Sequence, residues 1–126
     1  MTKKILAIDD SPTLRKLLQY YLSRRGYDVS EANNGKVGLD LITREDFDLI
    51  ILDMMMPIMS GDVVLQKLKE MENFSVPVLI LSADKDEENK AKAIALGASF
   101  YLTKPFKPDK VISRIEEIFK EKEKKN

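Results

Sequence analysis

The 126-residue chain contains no cysteine and no histidine. Without cysteine there is no disulfide framework, no thiolate metal site and no thiol redox centre. Without histidine there is no Ser-His or Cys-His hydrolase and no imidazole-ligated zinc or iron. Any bound metal must take oxygen ligands, which leaves magnesium, calcium or manganese. Charge of one sign is lacking too. Lys plus Arg and Asp plus Glu are both 21, a net charge of zero, so no basic excess argues for direct contact with nucleic acid. No apolar run approaches the ~20 residues of a membrane span. The opening Met1-Thr2-Lys3-Lys4 leads into a strand and not into a signal sequence. These absences predict a cytoplasmic protein with no membrane contact. No GxGxxG or P-loop glycine pattern is present either.

What is present begins with Leu49 to Gly61, LIILDMMMPIMSG. Leu49-Ile50-Ile51-Leu52 is an unbroken apolar run, which predicts a strand buried on both faces. It meets one carboxylate, Asp53, and breaks at Met56-Pro57 and Ser60-Gly61. Asp53 therefore stands at the carboxyl end of a buried strand, the edge where open parallel sheets bind ligands. A turn-forming or capping role is the plain alternative for an Asp in that position.

The rest of the chain alternates strand and helix. Strands are predicted at Lys4–Ile8, Asp28–Ala32, Leu49–Leu52, Val78–Leu81 and Ser99–Leu102, the second being partly polar and suited to a sheet edge. Ser11 and Pro12 supply an N-cap and a first helical residue. Leu14, Leu17, Leu18, Tyr21 and Leu22 then form an apolar stripe that Gly26 ends. A second helix over Lys36–Glu45 has Val37, Leu41 and Ile42 on one face. A third carries Val64, Leu65, Leu68 and Met71, and a fourth runs from Asp86 to Leu96. A fifth opens at Pro108 with Val111, Ile112, Ile115, Ile118 and Phe119, and the charged run Lys120 to Asn126 reads as its solvated end. Hydrophobic content of 44% suits a globular chain, and its length fits one domain over residues 1–126. Five such units build a parallel sheet covered by helices on both faces.

Polar residues follow four of the strands: Asp9 and Asp10, Asp53, Ser82, and Lys104. All strands of a parallel sheet end on one side, so these residues converge. With strand order 2-1-3-4-5, the first and third strands are neighbours and Asp10 approaches Asp53. Carboxylates in one crevice repel, by about 4 kcal/mol per pair at about 4 Å and an effective dielectric near 20. Either a proton is held or a hard cation is bound. Mg²⁺ with one or two carboxylates and phosphate oxygens is the economical reading. Lys104 would then face a phosphoryl oxygen, Ser82 would donate a hydrogen bond, and Asp53 would be free to attack phosphorus.

The set Asp9-Asp10, Asp53 with Met56-Pro57-x-Met59-x-Gly61, Ser82-Ala83, Tyr101 and Lys104-Pro105-Phe106 closely resembles the receiver domain of two-component response regulators, the single-domain chemotaxis regulators in particular. The resemblance spans essentially the whole chain. It implies a flavodoxin-like, doubly wound α/β fold with a five-stranded parallel sheet in the order 2-1-3-4-5 and five helices. It implies that Asp53 accepts a phosphoryl group from a phosphohistidine on a histidine kinase or histidine phosphotransfer protein. Asp10 and Asp53 would ligate Mg²⁺ with the Met55 backbone carbonyl, Asp9 acting partly through water. Lys104 would contact the phosphoryl group, Ser82 would reorient toward it, and Tyr101 would change rotamer from exposed to buried. Lys104-Pro105 is expected to be cis. Met54 and Met56 are expected to face the core, leaving Met55 at the site. Met55 and Asp84 are expected to flank the approach of hydrolytic water. The chain reads as a stand-alone signalling switch and not an enzyme, with no attached output domain and a downstream protein target that the residues do not name. An aspartate-nucleophile phosphatase of the haloacid-dehalogenase type would need an acid at position 55. A flavodoxin-type flavin binder would need a Ser/Thr/Gly loop where Asp9-Asp10-Ser11-Pro12 stands.

Overall fold

The computed structural model describes residues 2–124. Ten elements alternate along the chain: β1 (Lys4–Ile8), α1 (Pro12–Ser23), β2 (Asp28–Ala32), α2 (Gly35–Arg44), β3 (Leu49–Leu52), α3 (Gly61–Glu70), β4 (Val78–Ser82), α4 (Glu87–Ala95), β5 (Phe100–Thr103) and α5 (Pro108–Lys124). The strands form one sheet in the order β2-β1-β3-β4-β5, and every pairing is parallel. This is the predicted doubly wound order. Met1, Lys125 and Asn126, the outermost residues of the expected domain and charged tail, lie outside the described residues.

The unbroken apolar runs find their explanation in the two cores. Alternate residues of one strand feed opposite faces of the sheet. Ile5, Ala7, Leu49, Ile51, Leu79 and Leu81 pack with Leu18 and Leu22 of α1 and with Val111, Ile112, Ile115, Ile118 and Phe119 of α5. Leu6, Ile8, Ile50, Leu52, Val78 and Ile80 pack on the other face with Val64, Leu65 and Leu68 of α3 and Ala93 of α4. The central strands β3 and β4 are buried along their full length, whereas β2, with a sheet neighbour on one side only, alternates.

Several local expectations shift. In α1 only Leu18 and Leu22 of the predicted stripe are fully buried, and Leu17 and Tyr21 stand at the surface. In α2 the predicted face holds in part: Leu41 and Ile42 pack against the core, but Val37 is exposed, and the fully buried residues are Gly35 and Gly38. The physical reason is close approach. A Cβ on Gly38 would lie 2.5 Å from Cδ1 of Ile8, and one on Gly35 would lie 2.6 Å from Cγ2 of Val64. Apolar periodicity cannot report a face made by glycine. Strands β4 and β5 each end one residue later than predicted, and β5 also begins one later, at Phe100; Lys104 N–H donates to the Ser82 carbonyl (2.7 Å) and extends the ladder over polar residues. Asp86 caps α4 instead of beginning it, accepting from Glu88 N–H and Asn89 N–H.

Gly61 is confined by backbone. It opens α3, its N–H donates to the Met54 carbonyl (3.0 Å), and an added Cβ would lie 2.6 Å from Met54 Cα and 2.8 Å from the Asp53 carbonyl oxygen. Backbone cannot yield as a side-chain tip does. Gly61→Ala is expected to lower unfolding free energy by about 1–3 kcal/mol, read from urea titrations. An unchanged midpoint would show that the Asp53–Met54 segment moves aside freely.

Candidate functional site

The carboxyl ends of β1, β3, β4 and β5 bring the predicted residues together. Asp9 and Asp10 follow β1, Asp53 follows β3, Ser82 ends β4 and Lys104 follows β5. Pairing of Ile8 with Leu52 sets the β1 and β3 ends side by side, and Asp53 N–H donates to the Ile8 carbonyl (3.0 Å). One carboxylate oxygen from each of Asp9, Asp10 and Asp53 lies within 4.8 Å of the others. Asp9 and Asp53 are buried and Asp10 is exposed.

Lys104 is the counter-charge. Its Nζ donates to Asp9 Oδ2 at 2.9 Å and lies 3.7 Å from Asp53 Oδ2. One ammonium does not balance three carboxylates. Burial, then repulsion from Asp9, pushes the Asp53 carboxyl up from its ordinary 3.8 to about 6, against the pull of Lys104 and a hydrogen bond from Met55 N–H to Oδ1 (3.3 Å). The donor set is all oxygen, it carries excess negative charge, and a hard divalent cation would relieve that excess. The residues present therefore fit Mg²⁺.

Around this pocket Met55 turns its side chain outward, 64% exposed, while Met54, Met56 and Met59 pack against the α3-side core, as expected for the first two. The loop turns tightly after Pro57: Met59 N–H donates to the Pro57 carbonyl (2.7 Å) around Ile58, which sits at φ +71. Lys104-Pro105 is cis. Ser82 is fully buried and its Oγ accepts from Asp84 N–H (3.2 Å). Tyr101 is half-buried, and its hydroxyl donates to the Asp84 carbonyl (2.8 Å). Burial pushes the Tyr101 phenol above its usual range.

Two features escaped the sequence reading. The Asp84 carboxylate is engaged by the start of α4: Oδ1 accepts from Asp86 N–H (2.9 Å) and Oδ2 from Asn89 Nδ2 (2.8 Å). An Asp just before a helix, with Asn five residues on, is a local signal for that role. The other is Arg15, whose Nη1 donates to the Asp9 carbonyl (2.6 Å) and whose Nε pairs with Glu31 Oε1 (3.1 Å). A cation near the start of α1, where the helix dipole disfavours it, was the available clue.

Fold and site together define a doubly wound α/β protein with an acidic, lysine-bearing pocket at its switch point. A family model of the response regulator receiver domain matches residues 5–116, and the chain belongs to that family. It is 41% identical over 123 residues to the Bacillus subtilis alkaline phosphatase synthesis transcriptional regulatory protein PhoP, covering 98% of this chain and 51% of that protein. It is 34% identical over 120 residues to the Staphylococcus aureus transcriptional regulatory protein SrrA, covering 95% and 49%. The chain thus spans about half the length of these curated relatives. Among solved structures, a CheY-like receiver domain protein of Methanospirillum hungatei superposes with a TM-score of 0.94 at 28% identity, each chain fully covered. The chemotaxis protein CheY4 of Vibrio cholerae gives 0.88 at 30%, with 93% of this chain and 98% of that one covered. No helix among the described residues is long and apolar enough to cross a membrane.

The raised Asp53 value has a signed consequence. Between about pH 4 and pH 6 the folded protein holds a proton at Asp53 that the unfolded chain has released, so stability falls as pH rises through this window. In metal-free protein, Asp53→Asn is expected to be more stable than wild type above pH 6, by at most about 3 kcal/mol, with the difference closing toward pH 4. Thermal melts in chelator at several pH values read it. Equal stability at neutral pH would show that the carboxylate crowding is fully compensated.

Proposed function

We propose that this protein accepts a phosphoryl group on Asp53 from a phosphohistidine of a histidine kinase or histidine phosphotransfer protein. The observation that carries the reading is the placement of one buried carboxylate, Asp53, beside two further carboxylates and the Lys104 ammonium. An Asp53 oxygen attacks phosphorus, the phosphorus–nitrogen bond breaks, and the imidazole nitrogen keeps the electron pair and takes a proton. Above about pH 6 the carboxylate is ionised and ready to attack. The residues proposed to hold Mg²⁺ are Asp10, Asp53 and the Met55 carbonyl, with Asp9 acting partly through water. The ion, when bound, would offset charge on the phosphoryl oxygens. Lys104 meets one of those oxygens, and Ser82 donates to another after leaving Asp84 N–H.

The product is a switch, not a turnover catalyst. The added charge draws Lys104 and Ser82, and Tyr101 follows through its bond to Asp84. The output surface is proposed to be built on α4, β5 and α5, where Ile94 of α4 is an exposed apolar residue available to a protein target. We propose that the receiver unit itself makes this contact in the cytoplasm, without direct nucleic-acid or membrane contact of its own.

The test is phosphoramidate with Mg²⁺, followed by mapping of the adduct by mass spectrometry. Label is expected on Asp53 alone, and lost in Asp53→Ala. Equal stable labelling of that variant at another acid would refute the assignment. The same phosphoprotein tests lifetime. Hydrolysis needs water in line with phosphorus, opposite the Asp53 oxygen. Both Asp84 oxygens are engaged elsewhere, so Met55, exposed and unable to orient water, is left to shield the approach. Met55→Asn is expected to shorten the half-life a few-fold, about 1 kcal/mol of barrier. Equal or slower decay would show that Met55 does not set the lifetime.

A further inference from the structure

We propose that Arg15 is a positioning residue for the acidic pocket. It would fix the peptide between Asp9 and Asp10 so that Asp10 is aimed before the cation arrives. The inference rests on the Mg²⁺-dependent reading above and assigns a residue outside the pocket to it.

Asp9 is held at four atoms. Its N–H donates to the Ala32 carbonyl of β2 (3.1 Å), Oδ1 accepts from Ser11 N–H (2.9 Å), Oδ2 accepts from Lys104, and its carbonyl oxygen accepts from Arg15 Nη1 (2.6 Å). Asp10 is different. It is exposed, and its carboxylate has no hydrogen-bond partner among the described residues. Among the described residues nothing holds the Asp10 side chain directly, so its aim depends on the backbone that carries it. That backbone is the peptide whose carbonyl Arg15 grips.

Arg15 suits this task because it is itself fixed. Its guanidinium side chain is only 16% exposed and is pinned by Glu31 of β2 at 3.1 Å. Its own N–H closes the first turn of α1 on the Ser11 carbonyl (3.1 Å). The fork of the guanidinium reaches Asp9 and Glu31 through different nitrogens, tying the β1–α1 loop to the neighbouring strand. A charge role would have the opposite sign, because a cation near the pocket repels Mg²⁺. Pairing with Glu31 offsets that repulsion and leaves the hydrogen bond as the dominant effect. Groups that orient metal ligands from outside are worth about 10–100-fold in metal affinity. One acting through a backbone carbonyl belongs at the low end.

The experiment uses the full chain as wild type, Arg15→Met and Arg15→Lys. Mg²⁺ affinity is read from amide chemical shifts, with melting temperature and Asp10 amide relaxation recorded in metal-free protein. Phosphorylation by phosphoramidate is followed against Mg²⁺ concentration. Arg15→Met is expected to weaken Mg²⁺ binding about tenfold, to raise Asp10 amide mobility, and to leave the rate at saturating Mg²⁺ within about twofold of wild type. Arg15→Lys keeps the charge without the fork and is expected to weaken binding as well. Unchanged or tighter Mg²⁺ binding in Arg15→Met overturns the proposal, as does wild-type affinity in Arg15→Lys, which would show that the two-armed grip on the Asp9 carbonyl and Glu31 is not what aims Asp10. A lower melting temperature with unchanged affinity would also overturn it, leaving Arg15 a purely structural residue. Failure of the phosphoacceptor reading would appear instead in wild type, as absent labelling of Asp53, while the Mg²⁺ titrations would still decide the role of Arg15.

Discussion

Three carboxylates share one ammonium at the carboxyl edge of the sheet, and much of the structure answers to that imbalance. Asp9 and Asp53 are buried there with Lys104 between them and Asp10 at the rim. Such an arrangement does not stabilise the fold. The raised Asp53 carboxyl is the direct sign that ionising it costs free energy in the folded state. What holds the residues together is remote: two apolar cores, one on each face, through which β1, β3 and β4 run with almost no exposed surface. Buried aliphatic side chains each contribute about 1.5–3 kcal/mol, and the sheet they build admits only one direction for its strand ends. The site is therefore crowded by topology and carries a negative excess that a bound cation would relieve.

Much of this was legible in the residues, and the reasons are particular. The runs Leu49–Leu52 and Val78–Leu81 are apolar at consecutive positions because both faces of the sheet are covered, and that pattern alone announces central parallel strands. Asp9, Asp10, Asp53, Ser82 and Lys104 could be gathered from distant positions because parallel strands end on one side. Side-chain periodicity failed where side chains are not the contact. In α2, Gly35 and Gly38 are buried beside the packed Leu41 and Ile42, and a reading that counts apolar residues adds the exposed Val37 and misses the glycines. It failed again at Asp84, because direction is a three-dimensional property. Two positions past Ser82 was consistent with a carboxylate over the pocket or one turned into α4, and only the bonds to Asp86 and Asn89 choose between them.

Arg15 belongs to a third kind of omission. Its role is written in a hydrogen bond to a carbonyl, which leaves no trace in side-chain pattern, and in an ion pair with Glu31 across two elements. Sequence reading finds the residues that meet the ligand because their chemistry is distinctive. It overlooks those that hold the backbone behind them, because any donor of sufficient reach would look alike. The same applies to the turn at Ile58, which closes the loop after Met55 through backbone geometry and not through its own chemistry.

The contacts leading away from the pocket explain why a small charge change there is suited to a distant readout. Lys104 touches Asp9 and Asp53 with its side chain and Ser82 with its backbone. Ser82 Oγ holds Asp84 N–H, Tyr101 holds the Asp84 carbonyl, and the Asp84 carboxylate holds Asp86 and Asn89 at the start of α4. Asp84 is thus engaged at four groups by four different residues. A hydroxyl at Ser82 that turns toward a phosphoryl oxygen gives up the Asp84 amide, and the loop must then satisfy that partly buried donor differently. Contacts of this kind have discrete alternatives, since hydrogen bonds are made or broken and not stretched. On the proposed function, the signal leaves the pocket as a repartnering of Asp84, and α4 responds because its N-cap, Asp86, is held by the Asp84 carboxylate.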